Sequence, residues 1–173
     1  GMTKAIQERI LVQANQECSN TRFICVRYGN VLSSRGSVVP LFMDQIQRGG
    51  PVTITLKEMT RFLLSLDDAV DAVFAAVRYG LRGETYIPKV ASARVTDIAD
   101  VLINGRNIPT IYTGIRPGEK VHEILISEEE CNRTFERDGY YGILPILPEL
   151  KTSDPKEHAL EKEYSSREAT LSK

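Results

Sequence analysis

The chain has 173 residues, of which 42 % are hydrophobic and 26 % charged, and its formal net charge is −1. That balance fits an ordinary globular core and excludes a nucleic-acid or membrane-surface protein working through bulk basicity. No apolar run approaches the roughly 18 residues a bilayer-crossing helix needs, and no charged-then-apolar leader is visible, so a cytoplasmic protein without nucleic-acid or membrane partners is expected.

Residues 3–17, TKAIQERILVQANQE, place Ala5, Ile6, Ile10, Leu11 and Ala14 at helical spacing, with Thr3 as a cap. RFICVRYGNV, residues 22–31, is β-branched and aromatic, the pattern of a strand buried on both faces. After the loop VLSSRGS, whose Arg35 suits either phosphate or solvent, VVPLFMDQIQRG predicts a helix stopped by Gly49-Gly50. PVTIT, residues 51–55, is a short strand. SLDDAVDAVFAAVRYG is the clearest helix, with Ser65 or Asp67 as cap, Asp67 and Asp68 beside the dipole, and Val70, Val73, Phe74 and Val77 as the core stripe. GETYIPKV predicts a strand, VTDIADVLI a helix capped by Thr96, IPTIYTGI a strand and GEKVHEILISEEE a helix, while RDGYYGILPILP reads as irregular. From Lys151 onward the chain is polar and charged, as in a disordered or loosely docked tail. Alternating strands and helices imply an α/β fold with a mostly parallel sheet, whose ligands sit at the carboxyl ends of strands.

The chemistry-bearing stretch is TGIRPGEKVHE, residues 113–123. Arg116 offers a rigid fork of donors matched to phosphate or carboxylate. Pro117-Gly118 turns the backbone so that Glu119 can face the same ligand, where a carboxylate suits a ribose diol. The pattern reads as a diphosphate-plus-ribose clamp; a surface turn closed by a salt bridge explains the same residues. Asn30 is either a phosphate and hydroxyl contact or a strand-ending turn residue, and Arg61 either an anion ligand or a surface ion pair. Lys4 opens a helix where the dipole disfavours it, which hints at a purpose beyond solvation. Cys18, Cys25 and Cys131, without a CxxC, read as buried or incidental thiols with little support for metal or redox use, and two scattered histidines are too few for a zinc site, so no metal is expected. No GxGxxG occurs, so no dinucleotide pyrophosphate loop is present. Gly1-Met2 reads either as an expression remnant before a start methionine or as native sequence.

In chain order, TKAIQERILVQAN, VRYGNVLSSRGSVVPLFMDQI, PVTIT, MTRFLLSLDDAVDAV and GIRPGEKVHEIL resemble the C-terminal half of extended short-chain dehydrogenase/reductases. The resemblance is closest to the bacterial polysaccharide-biosynthesis (CapD-like) group of nucleotide-sugar 4,6-dehydratases and epimerases. It implies the C-terminal part of a Rossmann-like parallel sheet plus the small α/β substrate-binding domain, with the N-terminal dinucleotide-binding half missing. Residues 1–150 would be the substrate-binding portion and 151–173 the tail. Lys4 matches the lysine of the family's Tyr/Met-x-x-x-Lys catalytic motif, which binds the nicotinamide ribose. Asn30, Arg61, Arg116 and Glu119 match substrate-binding positions for the nucleotide diphosphate and its ribose, and residues 51–55 the segment along the uracil. The implied substrate is a UDP-sugar resembling UDP-N-acetylglucosamine. NAD or NADP serves the full-length family, and none is expected to bind this chain, which should be inactive alone. Dehydratase and epimerase share these loops. The alternative is a non-catalytic, truncated binding or oligomerisation module. With its partner half missing, the region of strand 22–31 and helix 3–17 is expected to form a homo-oligomer.

Overall fold

The computed structural model describes residues 2–32, 34, 36–151 and 158–170; Arg35 and residues 152–157 and 171–173 of the expected tail lie outside these. In chain order the elements are α1 (Met2–Glu17), β1 (Cys25–Val26), β2 (Asn30–Val31), α2 (Val38–Gln47), β3 (Val52–Ile54), β4 (Thr60–Leu64), α3 (Leu66–Tyr79), β5 (Thr85–Pro88) and β6 (Ser92–Arg94). They continue with α4 (Val95–Ile103), β7 (Thr110–Tyr112), β8 (Ile124–Ile126), α5 (Glu128–Cys131), β9 (Thr134–Arg137), β10 (Tyr140–Ile143), a 3-10 turn (Pro148–Leu150) and β11 (Tyr164–Ser165). The chain divides into two compact units, one built from Gly1–Tyr28, Asp67–Lys89 and Leu125–Tyr164, the other from Gly29–Leu66, Val90–Ile124 and Ser165–Lys173. Both units draw on residues before 150 and on residues after it.

The first unit holds a sheet ordered β1-β5-β10-β9, in which β1 runs parallel to β5 with Cys25 opposite Thr85, and β10 is antiparallel to both neighbours. All four residues of β5 are buried. Residues 134–143 form a hairpin, which takes in the first half of RDGYYGILPILP (137–148), the segment expected to be irregular. Asp138 (φ 51°) and Gly139 (φ 82°) form the two-residue left-handed turn that matches the twist of paired strands. The helix expected from Gly118 is also corrected. Ile124–Ile126 is a strand, and only Glu128–Cys131 is helical, opened by a capping box between Ser127 and Glu130.

Two helices of this unit face differently from expectation. On α1 the single buried residue is Asn15; its amide donates to the carbonyls of Leu11, Val12 and Phe23 and accepts the Phe23 N–H at 3.0 Å, pinning the chain's return. Ile6 and Ile10 are 52 % and 62 % exposed. On α3 the buried positions are Ala69, Ala72, Ala75 and Ala76. The expected core stripe, Val70, Val73, Phe74 and Val77, is exposed. The small-residue face is the one that packs inward. Ser65 immediately precedes α3, and Asp67 and Asp68 occupy its first turn, as expected of a dipole pair.

The second unit carries a sheet ordered β2-β4-β6, with β2 parallel and β6 antiparallel to β4, and a pair β3-β7 running parallel. Its core is Phe42 and Ile46 of α2, Val52 and Ile54 of β3, Met59, and Val95, Ile98 and Ala99 of α4. Each such large side chain contributes on the order of 1.5–3 kcal/mol through burial. Thr96 lies inside the first turn of α4 rather than capping it, and Asn104 closes that helix at φ 48°. The fold class, α/β with parallel pairs, is as expected, but the sheets are mixed.

The expected continuous strand 22–31 is broken in two: β1 belongs to the first unit and β2 to the second. Gly29 lies at the break, so close to β4 that an added Cβ would stand 2.4 Å from Phe62 Cβ. The polar stretch after Lys151 is not loose throughout. Ser165 and Ser166 are buried, and Ser166 donates its N–H to the Glu123 carbonyl at 2.8 Å.

Candidate functional site

The Arg116–Glu119 turn leaves the carboxyl end of β7, which β3 holds in parallel. Thr113 donates its N–H to the Ile54 carbonyl at 2.9 Å, and Gly114 to that of Thr55 at 3.1 Å. Gly114 and Gly118 have φ of 79° and 86°, a left-handed backbone that side chains disfavour. Within the turn, Glu119 donates its N–H to the Arg116 carbonyl at 3.1 Å, and Glu119 Oε2 accepts the Arg116 N–H at 3.1 Å. The carboxylate thus fastens the turn from inside. Arg116 is exposed and Glu119 half-buried, and no carboxylate among the described residues pairs with the Arg116 guanidinium.

Asn30 and Arg61 meet through a residue that sequence reading missed. Glu123 Oε1 lies 3.7 Å from Arg61 Nε, and its Oε2 accepts the Phe62 N–H at 3.3 Å. The Asn30 amide nitrogen, oriented as its neighbours require, donates to the two Glu123 oxygens at 2.5 and 3.0 Å. Burial pushes the Glu123 carboxyl above its usual range, against the pull of Arg61 and the Phe62 N–H. Arg61 is itself heavily committed. Its Nη1 donates to the carbonyls of Thr60 (2.7 Å) and Val121 (3.1 Å), and its Nη2 to the Lys120 carbonyl (3.0 Å) and Met59 Sδ (3.1 Å). Arg61 therefore clamps the backbone directly after the Arg116–Glu119 turn, whereas the Arg116 fork remains open. No hydrogen bond or ion pair joins Asn30 to Arg116 or Glu119. The signal for Glu123 was its place one residue beyond His122 in the same motif, obscured by reading that stretch as a helix.

Lys4 belongs to the other unit. It is exposed on α1, its Nζ donates to Gln7 Oε1 at 3.4 Å, and it lines an open cleft of about 470 Å3 with Glu8, Cys25, Arg27 and Tyr28. Arg27, which sequence reading passed over, organises this end: it donates to Glu8, to both Glu130 oxygens at 2.9 and 3.1 Å, and to the Leu125 carbonyl at 2.7 Å. Burial opposes both charges, but the mutual hydrogen bonds prevail, holding Glu130 below the usual carboxylate range and Arg27 above its own. No GxGxxG phosphate loop accompanies Lys4 in the sequence. Among the described residues no cluster of three metal-ligating side chains occurs, and no helix is long and apolar enough to cross a membrane.

The chain is similar to several known proteins. Over 150 residues the chain is 43 % identical to a UDP-N-acetylglucosamine 4,6-dehydratase (inverting) of Campylobacter jejuni, covering 85 % of this chain and 44 % of that protein. It is 40 % identical over 147 residues to a UDP-glucose 4-epimerase of Rickettsia akari, covering 83 % of this chain and 43 % of the relative. The X-ray structure of Pen from Bacillus thuringiensis superposes with a TM-score of 0.87 at 31 % identity, over 99 % of this chain and 54 % of that one. The chain thus spans less than half the length of these two curated relatives. A sequence profile described as "Polysaccharide biosynthesis protein" matches residues 1–145, and the chain belongs to that family.

Proposed function

We propose that this chain is the nucleotide-sugar-binding portion of a UDP-sugar 4,6-dehydratase or 4-epimerase of polysaccharide biosynthesis, acting on a UDP-N-acetylglucosamine-like substrate. The observation that carries this reading is the Arg116–Glu119 turn. It is preorganised by its own backbone and side-chain hydrogen bonds, projects from the carboxyl end of a parallel strand, and leaves a guanidinium without an ion-pair partner among the described residues. In this reading Arg116 holds the diphosphate, Glu119 accepts the ribose hydroxyls, and Asn30 donates its amide to the ligand in exchange for Glu123. Arg61 supports the clamp by fixing the Lys120–Val121 backbone. In this reading Lys4 contacts the nicotinamide ribose, hydride transfer is the work of NAD or NADP, and the chain alone turns nothing over.

The discriminating experiment is calorimetry with UDP. The chain should give saturable heat, and Arg116→Ala should weaken binding by about tenfold or more, as expected for a charge-assisted fork. Absence of heat at millimolar UDP removes the reading. An oligomerisation module is favoured separately by the exposed Met2, Ile6 and Ile10 on α1 and by β1, which pairs with β5 on one side alone. Sedimentation giving a clean monomer at micromolar concentration rejects that second role.

A further inference from the structure

The second unit also holds a cleft whose lining the nucleotide-sugar reading leaves unused. Four segments distant in sequence converge on it, bringing Lys57, Glu58, Thr60, Arg94, His122 and Arg167 around an open volume of about 560 Å3. Asn30, Arg61, Arg116 and Glu119 do not line it. Lys57, Arg94 and Arg167 are exposed, and none forms an ion pair with a described residue. Lys57 Nζ instead stands 5.1 Å from the Tyr112 ring centroid. Three cations against the single carboxylate of Glu58 leave two positive charges in excess.

The floor of the cleft is rigid. The Thr60 hydroxyl, nearly fully buried, lies 2.7 Å from His122 Nδ1 and 2.7 Å from Ser166 Oγ. Ser166 Oγ in turn accepts the Glu123 N–H at 2.9 Å, and the Ser166 carbonyl accepts from Ser92 Oγ and, at 3.0 Å, from Thr170 Oγ1. This network fixes the His122 ring and the backbone from which Arg167 projects. With Nδ1 engaged, the His122 Nε2 is the ring nitrogen without a partner among the described residues. Gathering like charges around a preformed concavity is unfavourable until a counter-charge enters.

We propose that this cleft is a second anion site, built for a phosphoryl dianion. A dianion matches the double positive excess, where a lone carboxylate would leave one charge uncompensated. Two guanidinium forks suit the several oxygens of a phosphoryl group. The volume lies within the range of small-molecule pockets and exceeds that of a bare phosphate. The ligand class is therefore the phosphoryl end of a phosphorylated small molecule, with inorganic phosphate as its minimal form.

The test is amide-resolved NMR titration of the full chain at fixed ionic strength with inorganic phosphate and, separately, glucose 1-phosphate. Saturable shifts at residues 57–60, 94, 122 and 167 are expected. Arg94→Gln/Arg167→Gln should weaken them by about tenfold or more, and Arg116→Ala should leave them unchanged. A tighter ester than free phosphate identifies an organic phosphate as the ligand, and equal affinities identify phosphate itself; both support the site. Three results overturn it: no saturable shift at millimolar phosphate, equal shifts with chloride, or an equal loss in Arg116→Ala, which would assign the cleft to the nucleotide-sugar clamp. Phosphate shifts without UDP heat would remove the nucleotide-sugar reading and leave this one standing.

Discussion

Replacing Arg61 with alanine separates a scaffold role from a ligand role. The guanidinium donates to the carbonyls of Thr60, Lys120 and Val121 and to Met59 Sδ, and faces Glu123 at 3.7 Å. The two charged side chains are 17 % and 25 % exposed. Hydrogen bonds to a charged group contribute about 1.5–3 kcal/mol each and are not additive. Breaking a buried pair costs about 3–5 kcal/mol, because the remaining charge is stranded. With solvent reaching both partners, the lower end applies, so a loss of about 3 kcal/mol is expected. Urea unfolding followed by circular dichroism would read it as a lowered midpoint with unchanged slope. The deficit should be larger at pH 7 than near about pH 4. Glu123 already has a raised carboxyl value, and without Arg61 that value rises further. Below it the carboxyl is neutral and no stranded charge remains, so the penalty appears as pH rises through the folded-state value. A loss below about 1 kcal/mol, accompanied by a tenfold fall in UDP affinity, would refute the clamp and return Arg61 to the ligand.

Gly29→Ala should lower stability by about 1–3 kcal/mol, since the new methyl would meet Phe62 Cβ at 2.4 Å; differential scanning calorimetry would measure it. Cys25, whose thiol burial pushes up to about 11, and the buried Cys131 should resist iodoacetamide at pH 8 while the exposed Cys18 reacts, as peptide mass mapping would show; simultaneous labelling of all three would contradict this. Glu130 is depressed by Arg27, so its contribution is present above the unfolded carboxylate value and is lost as pH falls through the folded one. Arg27→Gln should therefore be destabilised by about 3 kcal/mol at neutral pH, with the difference from the parent protein narrowing on acidification in urea titrations.

Sequence legibility followed the range of the interactions concerned. The limits of α2, α3 and α4 were readable because Gly49-Gly50, the Ser65–Asp68 start and Asn104-Gly105 act on their own backbone. Which side of α3 packs inward was not, because both its valine and its alanine faces are apolar and only packing chooses between them. The hairpin at Asp138-Gly139 carried a turn signal, but the short strands around it lack clean alternation. At the candidate site, Arg116 and Glu119 were found because their chemistry is local. Glu123 was not, because its meaning comes from Arg61 and Asn30, brought to it across the fold. The basic cleft escaped for the same reason: Lys57, Arg94, His122 and Arg167 are unremarkable one at a time.

The hydroxyl hub at Ser166 bears on biogenesis. Because it joins Thr60, Glu123 and Ser92, the body that begins at Gly29 has a vacancy at its centre until residue 166 has left the ribosome. A nascent chain stalled before that point would expose unsatisfied polar groups to chaperones, so this body matures only once residue 166 has joined it.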